Sequence, residues 1–401
     1  MSIAYQIWLK DKAGKRVALL DSVPSFDYTI VANGIGSFTL NVPYSHAKRS
    51  FLQKDYRVEI FRDYGSGFPT TPTFGGHIRY LETSQEVSGG VIEHNLVVRG
   101  ISYEHLLRTR LMLPLGLLTG HYGWPAIEGL DETFAYEEHA GPIETIMKEI
   151  VSHNCVEWDI ANDDRSIHGF QVEADKRKGQ TAVYRDRFIS VLEALQTLAK
   201  AGNLDFSVVG ITNGYEFRVA EPTDRRAGSA KANPVLFRAE WGRVERLRYT
   251  HDGLDIANFI YVGGKAPESE ETAEVSLANQ KIVVADGTDA SVYMRTETYV
   301  DSRGSEDFYD LLVRGAEALE DMRETTAWEF GLYDAMGQRW GLDWGVGDLV
   351  TVYYEGETHD CKVNGVKVTV DESGENIEVT DVSAWGEPLD FSGVGLYWLE
   401  A

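Results

Sequence analysis

Cysteine is nearly absent. Cys155 and Cys361 are the only two in 401 residues, far apart and without partners at metal-ligand spacing, so neither a disulfide framework nor a thiolate zinc site supports the fold. Both read as small buried apolar residues. Basic residues are also scarce: 38 Lys and Arg stand against 63 Asp and Glu, a formal net charge of −25. Gripping a phosphate backbone requires cationic side chains, so stable nucleic-acid binding is not expected. Long apolar runs are missing as well. The longest, 111–118, is far below the roughly 20 residues that cross a bilayer, and no membrane anchor is expected. The start Met1-Ser2-Ile3-Ala4-Tyr5 has no basic segment, apolar core or small-residue cleavage site, so export by a signal peptide is not expected and synthesis in a reducing cytoplasm is permitted.

Catalytic signatures are missing too: there is no P-loop, GxSxG elbow, HExxH helix, dinucleotide fingerprint or closed EF-hand loop. Asp159, Asp163 and Asp164 with His168 nearby offer carboxylate oxygens to a hard cation, but among 63 acids they read as a solvated loop. Glu137-Glu138-His139 reads the same way. His153 and Cys155 lie two apart and would share one face of a strand, yet a nucleophilic thiol needs an imidazole in a geometry that spacing does not supply. Trp124, Trp241, Trp328, Trp340, Trp344 and Trp385 read as core or subunit interface rather than as sugar-stacking platforms. No catalytic residue, cofactor or metal site is assigned, and the expectation is a protein that is not an enzyme.

What is present is material for a globular interior, 43% hydrophobic and 11% aromatic, in a chain long enough for two to four domains. Phe38, Leu40 and Val42 alternate with polar residues, as do Phe26, Tyr28 and Ile30 just upstream; both runs predict half-buried strands joined by a turn at Asn33-Gly34. Further strands are predicted at 56–61, 77–81 and 92–99. The period then becomes helical. Ile143, Ile146, Met147, Ile150 and Val151 form one apolar stripe, and Phe188, Val191, Leu192, Leu195 and Leu198 form another that ends at Gly202 as a C-cap. A hairpin is predicted at 204–209 and 215–219 around Thr212-Asn213-Gly214. Strands resume at 243–249 and 256–262. A helix is predicted from Phe308, Leu311, Leu312, Ala316, Leu319 and Met322, and strands at 349–354, 359–362, 366–370 and 377–382 close the chain.

This pattern predicts a mainly β protein with α+β inserts. Expected boundaries are a β unit at 1–103, an α/β insert at 104–235, a second β unit from 236–264 plus 343–385, a second α/β insert at 265–342, and a tail at 386–401.

Four stretches carry a family resemblance: Phe26-Asp27-Tyr28-Thr29-Ile30 with Ile35-Gly36-Ser37-Phe38-Thr39-Leu40; Phe74-Gly75-Gly76-His77-Ile78; Leu106-Leu107-Arg108-Thr109-Arg110 with Pro114; and Gly345-Val346-Gly347-Asp348-Leu349-Val350-Thr351-Val352. In this order the chain resembles the minor tail proteins of long-tailed phages of Gram-positive hosts, relatives of the tail-associated baseplate hub and of the trimeric hub of contractile phages. The resemblance implies two antiparallel β-barrels related by internal duplication, with α/β domains inserted. It also implies a homotrimer at the distal tip of the virion tail, placed between the tail tube and distal tail ring proteins on one side and the tail tip or fibre proteins on the other. The tape measure protein would be a neighbour, and genomic DNA would pass through the channel during ejection without specific binding. Two other roles fit the same residues: a distal-tail or receptor-binding adaptor, and a carbohydrate-binding or carbohydrate-active protein.

Overall fold

The computed structural model describes residues 4–65, 67–88, 91–113, 137–156, 165–229, 233–241, 244–254, 256–264, 282–286, 295–302, 325–332, 338–385 and 396–398, and parts of 311–322. The N-terminal part forms strands β1 (Ala4–Lys10), β2 (Arg16–Leu20), β3 (Ser25–Val31), β4 (Ser37–Pro43), β5 (Arg57–Asp63), β6 (Phe74–Ser88) and β7 (Val91–Ser102). In β4 the predicted alternation places Phe38, Leu40 and Val42 in the core. The turn before it relies on Asn33, whose φ of 53° lies in the left-handed region that Asn tolerates. Gly76, inside one of the stretches quoted above, sits where β6 presses on β7. A Cβ there would stand 2.5 Å from the Ile101 carbonyl oxygen, so no larger residue fits.

The first insert begins with the short helix α1 (His105–Arg108). It continues with β8 (Glu137–Pro142), α2 (Ile143–Val151), β9 (Phe170–Val172), β10 (Thr181–Asp186), α3 (Val191–Gly202), β11 (Asp205–Ile211) and β12 (Gly214–Ala220). β13 (Leu236–Arg238) and β14 (Val244–Asp252) follow. β15 (Phe259–Gly263), β16 (Ile282–Asp286) and β17 (Glu297–Asp301) make a small sheet with β15 in the middle. β18 (Thr325–Leu332), β19 (Leu349–Tyr354), β20 (Glu357–Asp371), β21 (Gly374–Ala384) and β22 (Leu396–Trp398) complete the chain.

One large sheet runs β14-β18-β21-β20-β3-β4-β7-β6-β5-β1-β2, with β19 beside β20 and β13 parallel to β19. The hydrogen-bonded path has two ends, and among the described residues no ladder closes either half into a barrel. Each half nevertheless has one strand order. Counted along the chain, β3, β4, β5, β6 and β7 lie in the spatial order first, second, fifth, fourth, third, and β14, β18, β19, β20 and β21 lie in the same order. The fourth strand is 15 residues long in both halves and slips register against the fifth in both.

Two strands were predicted at 359–362 and 366–370; the chain runs through both as β20. Register shifts at Val363, Gly365 and Val366 bend it without breaking its ladder to β21. Its first half pairs with β19 and its second half with β3, which joins the two halves of the sheet. The pairing also redraws the expected boundaries. β15, expected within 236–264 of the second β unit, pairs with β16 and β17, whereas β18, inside the expected insert 265–342, belongs to the large sheet. A single apolar core, including Ile7, Phe38, Val58, Phe237, Phe330, Val352 and Val379, fills the space between the two halves.

The first insert has its own core of α2, α3 and the sheet β9–β12–β11, which includes Ile146, Ile150, Leu195, Leu198, Phe206 and Phe217. α3 starts later than its apolar stripe implied. Ser190 accepts from the Glu193 amide and Glu193 reaches back to the Ser190 amide, a capping box that sets the first turn. Phe188 therefore lies outside the helix, left-handed at φ 61° and exposed. The left-handed C-cap is Asn203, one residue beyond Gly202. Leu195 is fully buried against the hairpin β11–β12. Leu195→Ala should destabilise the chain by about 2 to 5 kcal/mol through lost transfer energy and a residual cavity. Urea unfolding measures it, and a change within 0.5 kcal/mol would mean that the site collapses around the smaller residue.

In the second insert, the helical residues Leu311, Ala318 and Leu319, with Met322 at the end, pack on Ile260 and Val262 of β15. Phe308, Leu312 and Ala316 lie outside the described residues. At the other end of the chain β22 pairs with β10 and extends the sheet of the first insert to β22-β10-β8.

Candidate functional site

A compact group of titratable side chains outside the large sheet arises where β8 feeds directly into α2. Alternation along β8 puts Glu137 and His139 on one face. α2 buries Ile143, Ile146, Met147, Ile150 and Val151, then widens into a π-turn at Ser152–Val156. That turn brings His153 and Asn154 back over the start of β8. Glu137 Oε1 accepts from His139 Nε2 at 2.9 Å, His153 Nδ1 at 2.9 Å and Asn154 Nδ2 at 2.8 Å. The other ring nitrogen of His139, Nδ1, meets Glu149 Oε2 at 3.1 Å.

Glu137 is buried. Burial pushes its carboxyl up, but hydrogen bonds from His139, His153 and Asn154 outweigh this and hold it down to about 2. Burial likewise disfavours the charged form of His139, yet the carboxylates at its two nitrogens raise its pKa. Glu144, fully buried in the first turn of α2, accepts from Lys148 Nζ at 2.5 Å and from the amides of Lys176 and Lys178 at 3.1 and 2.8 Å, which pins the loop before β10 to the helix.

Sequence spacing had paired His153 with Cys155. The π-turn separates them: His153 turns to Glu137, and Cys155 turns into the apolar core, where burial pushes its thiol up to about 12. Such a thiol is no nucleophile at neutral pH. Glu138 points outward. His168 is exposed, and Asp159, Asp163, Asp164 and Trp124 lie outside the described residues. Trp328, Trp340 and Trp344 are core residues, with Trp344 packed edge-on to Phe237 at 5.3 Å. Trp241 is exposed and Trp385 half-buried.

A second polar cluster, with no signature in sequence spacing, occupies the seam between the first β unit and its insert. Arg57 donates to the Gly214 carbonyl at 3.1 Å and lies over the Tyr215 ring at 4.0 Å. His77 Nε2 meets the Tyr215 hydroxyl at 2.6 Å, and Lys10 Nζ bonds Glu59 Oε1 at 2.6 Å. Asn33 bridges the same seam farther along, donating to Asp205 and accepting from the Phe206 amide. A cleft of about 130 Å³ lined by Phe74, Tyr103, Glu104 and Val208 opens there, well below the roughly 300 to 1,000 Å³ of small-molecule pockets. In the last of the four stretches quoted above, Gly347 adopts φ 89° with Asp205 2.7 Å from where a Cβ would stand, and Asp348 accepts from the Gly345 amide and from Arg225. That stretch is therefore a packing and turn element.

The whole chain resembles two solved tail proteins. It covers 95% of itself and 98% of the prophage MuSo2 43 kDa tail protein from Shewanella oneidensis, at 12% identity and a TM-score of 0.53. It covers 97% of itself and 99% of a tail protein from Neisseria meningitidis MC58, at 12% identity and a TM-score of 0.52. At that identity the likeness is one of fold. No curated protein sequence matches the chain. The family pattern described as Siphovirus ReqiPepy6 Gp37-like protein matches residues 4–380, nearly the whole chain, and the protein belongs to that family of siphovirus tail proteins.

Proposed function

We propose that the protein is a structural subunit of the virion, a trimeric hub at the distal end of a phage tail tube that joins the tube to the tail tip and provides the channel for DNA ejection. The observation that carries this reading is the repeated strand order of the two β halves. A duplicated β unit in three copies offers six similar elements around one axis, which suits a sixfold tube on one side and a threefold tip on the other. The two halves are the two barrel-like units of the hub. The first spans 1–103, and the second is assembled from β13, β14 and β18 to β21, with the inserts carried outside them.

The neighbours follow from the position: tail tube and distal tail ring proteins above, tip or fibre proteins below, and the tape measure protein on the axis. A structural role fits the absence of an assignable nucleophile among the described residues and the small seam cleft, so the purified protein should hydrolyse neither peptidoglycan nor peptides.

Acidity belongs to this mechanism. Three copies triple a formal charge of −25, a self-repulsion that assembly must overcome. DNA carries about one negative charge per 1.7 Å of helix axis, so a channel rich in Lys and Arg would grip it while an acidic channel lets it slide. The lumen of the assembled ring should be net negative. Light scattering of the purified protein and electron microscopy of the ring check both points together. A hexamer would indicate a distal-tail ring, a monomer that binds glycans would indicate a lectin, and a neutral or positive lumen would assign the acidity to solubility alone.

A further inference from the structure

We propose that Glu137, His139 and His153 bind one divalent transition-metal ion, Zn²⁺ or a congener, which clamps β8 to the end of α2. Each residue offers one donor atom, and the three atoms lie within 4.8 Å of one another. Two imidazoles and a carboxylate are the donor set of Zn²⁺, Co²⁺ and Ni²⁺, whereas Ca²⁺ and Mg²⁺ take shells of oxygen. Ligand bonds of about 2.0 to 2.2 Å place tetrahedral donors about 3.4 Å apart. Glu137 Oε1 stands 2.9 Å from each imidazole nitrogen, so these two pairs need open by only about half an ångström to admit the ion, and the two imidazole nitrogens lie within 4.8 Å of each other.

The surroundings are arranged as around a metal. A metal-ligating histidine donates its other N–H to a carboxylate or carbonyl, which fixes the tautomer and makes the ligand more basic. With Nε2 of His139 on the ion, Nδ1–H points at Glu149 Oε2, 3.1 Å away. Asn154 plays the same part for the carboxylate: its amide donates to both oxygens of Glu137, at 2.8 and 3.0 Å, and to the Ile150 carbonyl at 3.0 Å. The buried carboxylate is thus oriented before any ion arrives. His139 and His153 keep 14% and 27% of their side chains exposed, so solvent reaches the cluster and supplies an entry path and a fourth ligand.

The ligands come from two elements. Glu137 and His139 lie on the strand that pairs with β10, and β10 carries β22 on its other side; His153 lies on the turn that ends α2. An ion bound by both would tie that edge sheet to the core of the insert. The site is independent of the proposed hub role.

The test uses the full chain, purified without a polyhistidine tag and stripped with EDTA, then titrated with ZnCl2 by calorimetry and with CoCl2 by visible absorption. One equivalent should bind per chain, with the intense absorption bands of four-coordinate Co²⁺ and a rise in melting temperature. Glu149→Gln, at a half-exposed position, should weaken binding about 10- to 100-fold, the usual cost of an outer partner. His139→Ala and His153→Ala, each removing a ligand, should cost more than that. Glu138→Gln, on the same strand and facing away, should bind as the parent does. Far-UV circular dichroism of the metal-free variants checks folding, and if a histidine variant fails to fold, Glu149→Gln decides. The proposal is overturned if no saturable binding occurs up to millimolar ZnCl2, or if the titration is unchanged in Glu149→Gln and in the folded histidine variants.

Discussion

Glu375→Ala should cost about 3 to 5 kcal/mol of stability, the usual penalty for removing one partner of a buried ion pair. Arg62 of β5 and Glu375 at the start of β21 are 313 residues apart, yet both side chains are almost wholly buried and meet in a two-pronged contact, Nε to Oε1 at 2.8 Å and Nη2 to Oε2 at 2.7 Å. The third prong, Nη1, donates to the Trp340 carbonyl at 2.8 Å. The Tyr5 hydroxyl also donates to Glu375. Truncation strips the buried guanidinium of its carboxylate and of the two-pronged contact while the Trp340 carbonyl stays on Nη1, and it removes the carboxylate that accepts from Tyr5. The contact ties the first β half to the second across their shared core, so its loss should loosen the two halves together. The double variant Arg62→Met with Glu375→Leu should be less destabilised than Glu375→Ala alone, because no charge is then stranded. Urea unfolding of the three variants measures this. A Glu375→Ala variant within 0.5 kcal/mol of the parent would show that water reaches Arg62 and that the pair does not hold the halves together.

Mild acid should weaken the seam between the first β unit and its insert. His77 and His105 are both buried there. Burial, helped by His105, Arg57 and Arg79, depresses His77 to about 3. Burial depresses His105 to about 4, with Arg79 and Arg108 adding to it and the Ser102 carbonyl and Asp55 opposing it. The geometry gives the cause for His105. Its Nδ1 donates to the Ser102 carbonyl at 2.9 Å, so Nε2 must accept from Arg79. A proton on Nε2 would remove that acceptor and set two donors against each other. His77 meets the Tyr215 hydroxyl and faces Tyr103, His105 and the guanidinium of Arg57.

In the unfolded chain both imidazoles take a proton near their ordinary value of 6.5. Between about pH 6 and pH 4.5 the unfolded state therefore binds up to two more protons than the folded state. Stability falls on acidification by about 1.4 kcal/mol per pH unit for each residue. It is fully present above pH 6.5 and is lost towards the folded-state values. Glu104, at the same seam, is raised by burial and acts in the opposite direction just above its ordinary range, so the measurement is a comparison of variants. His77→Phe should flatten the dependence of the urea midpoint on pH between 7 and 5 relative to the parent. Equal slopes for the two would mean that His77 is protonated in the folded protein at no cost.

How much of this was legible beforehand depended on the range of the interaction. Phe38, Leu40 and Val42 announced β4, Asn213-Gly214 announced the turn of the β11–β12 hairpin, and Leu349 to Tyr354 announced β19 residue for residue, because alternation and turn chemistry are properties of neighbours. The breaks were harder. Val363 to Val366 reads as an interruption, and only the ladder to β21 shows that it is a bulge within one strand. Phe188 reads as the first rung of α3, and only the Ser190–Glu193 cap excludes it.

The polar sites show the limit most clearly. Glu137 and His153 are 16 residues apart, Arg57 and Gly214 are 157 apart, and Arg62 and Glu375 are 313 apart. In a chain with 63 acids no spacing distinguishes a carboxylate that receives three donors from one that faces water. The sequence by itself determined a mainly β, acidic chain without a disulfide framework, in which two β-rich regions alternate with helical inserts, because composition and period are local quantities. Tertiary structure alone decided that β3 pairs with β20, that the two halves share one strand order and one core, and which of the many charged side chains are buried against a partner. Those outcomes depend on contacts between residues hundreds of positions apart, whose energies arise only once the sheet has brought them together.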